Sequence, residues 1–72
     1  MARLLAVKPK EAVVALERAG FIFIRQKGSH RIYTKGRLSV TIPFHTKDLK
    51  RGTLSHIIKQ AGLTLAEFLN LL

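Results

Sequence analysis

The hydrophobic period of this chain changes at Gly20, and two later glycines leave room for nothing but short strands. Before Gly20, Ala12, Val13, Leu16 and Ala19 recur at helical spacing, with Lys10, Glu17 and Arg18 left for solvent. After it, residues 21–25 (Phe-Ile-Phe-Ile-Arg) have the β-branched and aromatic composition of a strand partly covered on both faces. Phe21 and Phe23 are accordingly assigned to the core. Gly28 and Gly36 mark bends on either side of a second strand, residues 30–33, and ahead of a third, residues 38–42. The third alternates cleanly, which places Leu38, Val40 and Ile42 on one buried face. Pro43 removes a backbone donor and ends it. Short loops between three strands predict an antiparallel meander.

Helices flank the meander. The first is predicted over residues 9–19, with Pro9 in its first turn, Glu11 where the macrodipole favours an acid, and Gly20 as its stop. Residues 44–52 form a basic connection that carries His45, Lys47, Lys50 and Arg51. Thr53 is the predicted cap of a second helix, whose Leu54, Ile57, Ile58 and Ala61 fall at i, i+3, i+4 and i+7 and which Gly62 terminates. Thr64-Leu65-Ala66-Glu67 fits a capping box and opens a last short helix that carries Phe68, Leu69, Leu71 and Leu72. The order α-β-β-β-α-α is an α+β fold. Helices on one face of a three-stranded antiparallel sheet would bury both apolar sets.

With 72 residues there is room for one core, so one domain over residues 1–72 is expected. Hydrophobic content of 47% argues against disorder, and the absence of cysteine removes disulfides and thiolate metal sites. No apolar run approaches the ~20 residues that span a bilayer. A cytoplasmic location without membrane association is the simplest expectation. Charge is the strongest bulk signal, at a net +9. Arg25, Lys27, Arg31, Lys35, Arg37, Lys47, Lys50 and Arg51 face Asp48 alone, so the middle of the chain holds a net +7. Charge concentrated on strands and loops, with no basic amphipathic helix, points to nucleic acid rather than lipid.

The four acids, Glu11, Glu17, Asp48 and Glu67, are scattered, so no carboxylate cluster is available for a two-metal nuclease. His30, His45 and His56 lack metal-ligand spacing. No serine triad or Walker-type loop is present. Neither a metal nor another cofactor is expected. What remains is acid–base chemistry by histidine. His30 begins a strand directly after Gln26-Lys27-Gly28-Ser29, among the cations Arg25, Lys27 and Arg31. RNA supplies its own nucleophile, the 2′-hydroxyl, so cleavage needs a proton removed, a proton supplied and charge stabilised. A placed histidine contributes about 10²–10⁴ in rate to such a step. On its own, a histidine at a strand start is more often a surface or packing residue. His56 reads as structural and Tyr33 as sheet packing.

Several spaced motifs in order resemble the HicA (YcfA-like) toxin family. They are Gly20-Phe21; Arg25-Gln26-Lys27-Gly28-Ser29-His30 with Tyr33; Val40-Thr41-Ile42-Pro43-x-His45; and Gly52-Thr53-Leu54-x-x-Ile57-x-Lys59-Gln60-Ala61-Gly62. The resemblance implies a double-stranded-RNA-binding-domain-like fold. It also implies the toxin of a type II toxin–antitoxin pair, a metal-independent endoribonuclease (mRNA interferase) restrained by a HicB-like antitoxin. The family's active-site histidine maps onto His30, and His45 matches a second recurrent histidine. Arg25, Lys27, Ser29, Arg31, His45, Lys47, Lys50 and Arg51 are the residues expected to hold RNA. The rival expectation is a non-catalytic RNA-binding module of the same fold, which would read shape and phosphate.

Overall fold

The computed structural model describes residues 7–72, so the part of the expected 1–72 domain before Val7 lies outside the described residues. The elements are α1 (Pro9–Arg18), β1 (Ile22–Lys27), β2 (His30–Lys35), β3 (Leu38–Pro43), α2 (Arg51–Gln60) and α3 (Leu65–Leu71). This is the α-β-β-β-α-α order expected from sequence. The strands form one open antiparallel sheet in the order β1-β2-β3, and the fold is α+β.

Glycine sets the corners. Gly20 adopts φ 101°, which lets the Phe21 amide donate to Leu16 at 2.9 Å and the Gly20 amide to Glu17 at 3.0 Å. Gly62, at φ 70°, closes α2 the same way, with Leu63 donating to Ile58 at 3.2 Å and Gly62 to Lys59 at 3.0 Å. Both are Schellman closures, in which a left-handed residue satisfies the orphan carbonyls of the last turn. The strand connections Gly28-Ser29 and Gly36-Arg37 are two-residue loops with positive φ on the glycine alone. That pattern belongs to the II′ hairpin, whose twist matches the strands it joins.

Helix starts differ. Thr64 and Glu67 form the expected capping box: the Thr64 hydroxyl accepts from the Glu67 amide at 3.1 Å, and the Glu67 carboxylate accepts from the Thr64 amide at 2.8 Å. In α1 the Glu11 carboxylate accepts from the Lys8 amide at 3.0 Å. Thr53 is not a cap. Helix α2 starts earlier, at Arg51, with Lys50 in the cap position and no side-chain capping bond. The reason lies just upstream, where Leu49 is buried and its amide donates to the Val7 carbonyl at 2.8 Å. The extended chain is pinned there, and the helix begins at the first residue released.

The core gathers Val7, Leu16, Phe21, Tyr33, Val40, Ile42, Leu49, Leu54, Ile57 and Phe68, with Phe68, Leu16, Val40 and Ile42 fully enclosed. Each such side chain stabilises the fold by roughly 1.5–3 kcal/mol relative to an exposed one. Two core expectations need correction. Leu38 shares a face with Val40 and Ile42 but sits at the rim against Gly62 and stays 40% exposed. Phe23 is 50% exposed; it touches the Tyr33 ring edge-on at 5.7 Å but lies beyond the helices, which sit mainly over β3. Phe21 is buried as expected, ahead of the strand rather than in it. Among the described residues no helix is long and apolar enough to cross a membrane.

Candidate functional site

Directly opposed residues in an antiparallel pair share a face, so the register sorts the site residues. Tyr33 faces the helices. Its face holds Arg31 and Lys35 on β2, Leu38, Val40 and Ile42 on β3, and Phe23 and Gln26 on β1. The opposite face, which no helix covers among the described residues, holds His30, Ile32 and Thr34, with Lys27 and Arg25 on β1 and Pro43, Thr41 and Ser39 on β3. His30 is exposed and stands between Lys27 and Pro43. Its Cβ lies about 4.5–5.5 Å from that of Lys27, the ordinary cross-strand spacing. Arg25 comes next along the same face. The hairpin therefore brings an imidazole and two ammonium- or guanidinium-bearing chains to one open surface.

Arg31 is not among them. It points to the helix side, where its Nε donates to the Gln26 side-chain oxygen at 3.0 Å and its guanidinium carbon lies 3.7 Å from the Phe44 ring centroid. Gln26 is fixed in turn by its Nε2 donating to the Gly28 carbonyl at 2.9 Å. Arg31 thus ties the basic connection to the hairpin from behind. Ser29 sits in the turn, and its carbonyl accepts from the Phe44 amide at 2.6 Å, carrying the β2–β3 ladder past the strand ends. His45, the next residue, is exposed. Two residues from Pro43, its Cα falls within about 12 Å of the His30 Cα by chain reach.

Further along the connection, the Lys8 ammonium lies 3.0 Å from the Asp48 carboxylate and 3.3 Å from the Thr46 carbonyl. The one acid in the basic middle of the chain is therefore already matched. Lys47, Lys50 and Arg51 are exposed and make no ion pair among the described residues. They surround the start of α2, where unpaired amides and the helix dipole add positive potential. Sequence reasoning overlooked Gln26, Phe44 and Lys8 as positioning residues. Gln26 alone left a trace, standing two residues before the turn glycine and opposite Arg31. Among the described residues no three histidine or carboxylate side chains gather as a metal site would require.

A small, strongly basic α+β domain with a histidine on an open sheet face defines the class. Comparison with protein families then places it. The model of a family described as the HicA toxin of bacterial toxin–antitoxin systems matches residues 9–63. That span covers most of the chain, from the start of α1 through the close of α2, and the chain belongs to the HicA toxin family. Its role is that of a toxin, and membership implies an antitoxin partner in general terms. No curated protein matches the chain significantly.

Proposed function

We propose that this toxin is an endoribonuclease of the mRNA interferase kind, acting in the cytoplasm without a metal or other cofactor. The observation that carries the reading is the cross-strand pair of His30 and Lys27 on the uncovered face, beside the basic connection. His30 acts as the acid–base group. It takes the proton of the 2′-hydroxyl as that oxygen attacks the adjoining phosphorus; the P–O5′ bond then breaks and the protonated His30 gives that proton to the departing 5′-oxygen. The products are a 2′,3′-cyclic phosphate and a free 5′-hydroxyl. Lys27 and Arg25 stabilise the charge that builds on the phosphoryl oxygens.

His45, Lys47, Lys50 and Arg51 hold the flanking phosphates, and the exposed turn at Ser29 leaves room for the backbone to pass. Arg31 serves by positioning Phe44 and the connection. The scatter of the four acids supports chemistry that rests on histidine and cations. A HicB-like antitoxin would restrain the activity by covering the same face.

The test is degradation of a structured mRNA fragment by purified protein in excess EDTA, with His30→Ala alongside. Wild type is expected to cleave, and the variant to lose about 10²-fold or more in turnover while retaining RNA affinity. Cleavage that stops with chelator and returns with Mg²⁺ overturns the metal-free mechanism. Undiminished cleavage by His30→Ala overturns the assignment. RNA binding without cleavage in the wild type leaves the non-catalytic module.

A further inference from the structure

The two edges of the sheet are treated differently. The β3 edge lies beside α2: the Gln60 side-chain oxygen faces the Thr41 amide at 3.5 Å, and Leu38 packs at Gly62. Among the described residues the β1 edge pairs with β2 alone, and Ile22, Phe23 and Ile24 are 63%, 50% and 47% exposed along it. In an antiparallel strand, alternate residues turn their amides and carbonyls away from the partner. A free edge of this kind recruits another strand unless something prevents it.

What β1 carries selects the recruit. Pairing with a second copy would join two chains of net +9 and line Arg25 and Lys27 of both along one short edge. Like charges opposed across strands destabilise the pairing. The irregularity between Phe23 and Arg25 also breaks up a long regular ladder. An extended acidic segment removes the charge obstacle, and a short one does not need a long regular ladder. Its carboxylates would face Arg25 and Lys27, and its apolar side chains would cover the exposed run of residues 22–24.

We propose that β1 is the docking strand for a short, acidic, extended segment of the antitoxin, added to the sheet edge. The proposal rests on the toxin reading for the identity of the partner. It also gives that partner a means of control: a strand bound there draws away the charge of Lys27, the cross-strand neighbour of His30.

The test uses the whole chain and two nine-residue peptides, one alternating valine with glutamate and one alternating valine with lysine, followed by amide spectra and hydrogen exchange. The acidic peptide is expected to shift and protect the amides of Ile22–Lys27, and the basic one to leave them unchanged. Ile24→Glu should weaken the acidic peptide by about tenfold or more, since like charge is then opposed. Ile24→Thr, which keeps strand propensity, should weaken it far less. Both variants are compared with wild type by spectra of the remaining residues. Equal binding of the two peptides, perturbation confined to the His30 face or to the helices, or no binding overturns the proposal. Growth arrest on expression of the chain alone tests the toxin reading separately. Arrest without peptide binding sinks the edge proposal only; peptide binding without arrest sinks the assignment of the partner.

Discussion

Helices α1 and α2 are each ten residues long, have lysine in the cap position and end in the same Ala-Gly closure, yet their beginnings are chemically opposite. At the start of α1, Glu11 reaches back to the Lys8 amide, Pro9 removes one orphan donor, and the Lys8 ammonium is held by Asp48. At the start of α2 there is no acid in the first turn, no side-chain cap, and a cluster of Lys47, Lys50 and Arg51. A helix start gains about 0.3–1 kcal/mol from a nearby acid and is disfavoured by cations there. The first start is completed from within. The second leaves a positive end that an external anion can complete, and on the proposed function that anion is RNA phosphate.

The largest expected consequence is electrostatic. Replacing Lys47, Lys50 and Arg51 together with alanine should lower the slope of log K against log salt for RNA by roughly two to three units, from about 0.7–0.9 per lost phosphate contact. Replacing Lys8 and Lys10 should lower it by less than about one unit, because the Lys8 ammonium is already matched by Asp48. Titrations of labelled RNA across a salt series measure both. Equal slopes for the two variants would erase the distinction between the two starts.

That distinction was only half legible in the sequence. The glycine stops at Gly20 and Gly62, the bends at Gly28 and Gly36, and the Thr64–Glu67 box depend on neighbours a few residues away and are legible there, though the II′ form of the two bends is not. The start of α2 was not. Thr53 is the better capping residue, but a long-range bond from Leu49 to Val7 decides where the helix begins. Residues 22–25 form the expected strand, but the burial expected of Phe23 fails for a related reason. Composition shows that Phe23 suits a strand, not whether a helix lies over it. For the candidate site, the motif around His30 was visible. The separation of Arg31 from Lys27 required the register, since one residue of offset reverses the face.

A smaller effect probes the first start alone. Glu11→Ala removes the carboxylate that accepts the Lys8 amide. It should cost about 1 kcal/mol, or about 4–8 °C in the unfolding midpoint of a domain this size. Thermal unfolding by circular dichroism reads the loss. The salt dependence of RNA binding should stay at the wild-type value. A change in that slope would mean that the α1 start contributes to the RNA surface after all.

The smallest effect transfers the chemistry of one start to the other. Thr53 occupies in α2 the position that Glu11 holds in α1 and Glu67 in α3, third in the helix after the cap. Thr53→Glu therefore places a carboxylate within reach of the Lys50 amide and opposite the positive helix end. The gain in stability should be about 0.3–1 kcal/mol, read as a higher unfolding midpoint. The same carboxylate would compete with phosphate for Lys50 and Arg51, so RNA affinity should fall as stability rises. That opposition separates two explanations of the uncapped start. If the cations merely sit on a tolerant surface, the variant gains stability and binds RNA as before. If they hold RNA, added stability and lost affinity arrive together, and raising salt narrows the affinity gap because the competing interaction is ionic.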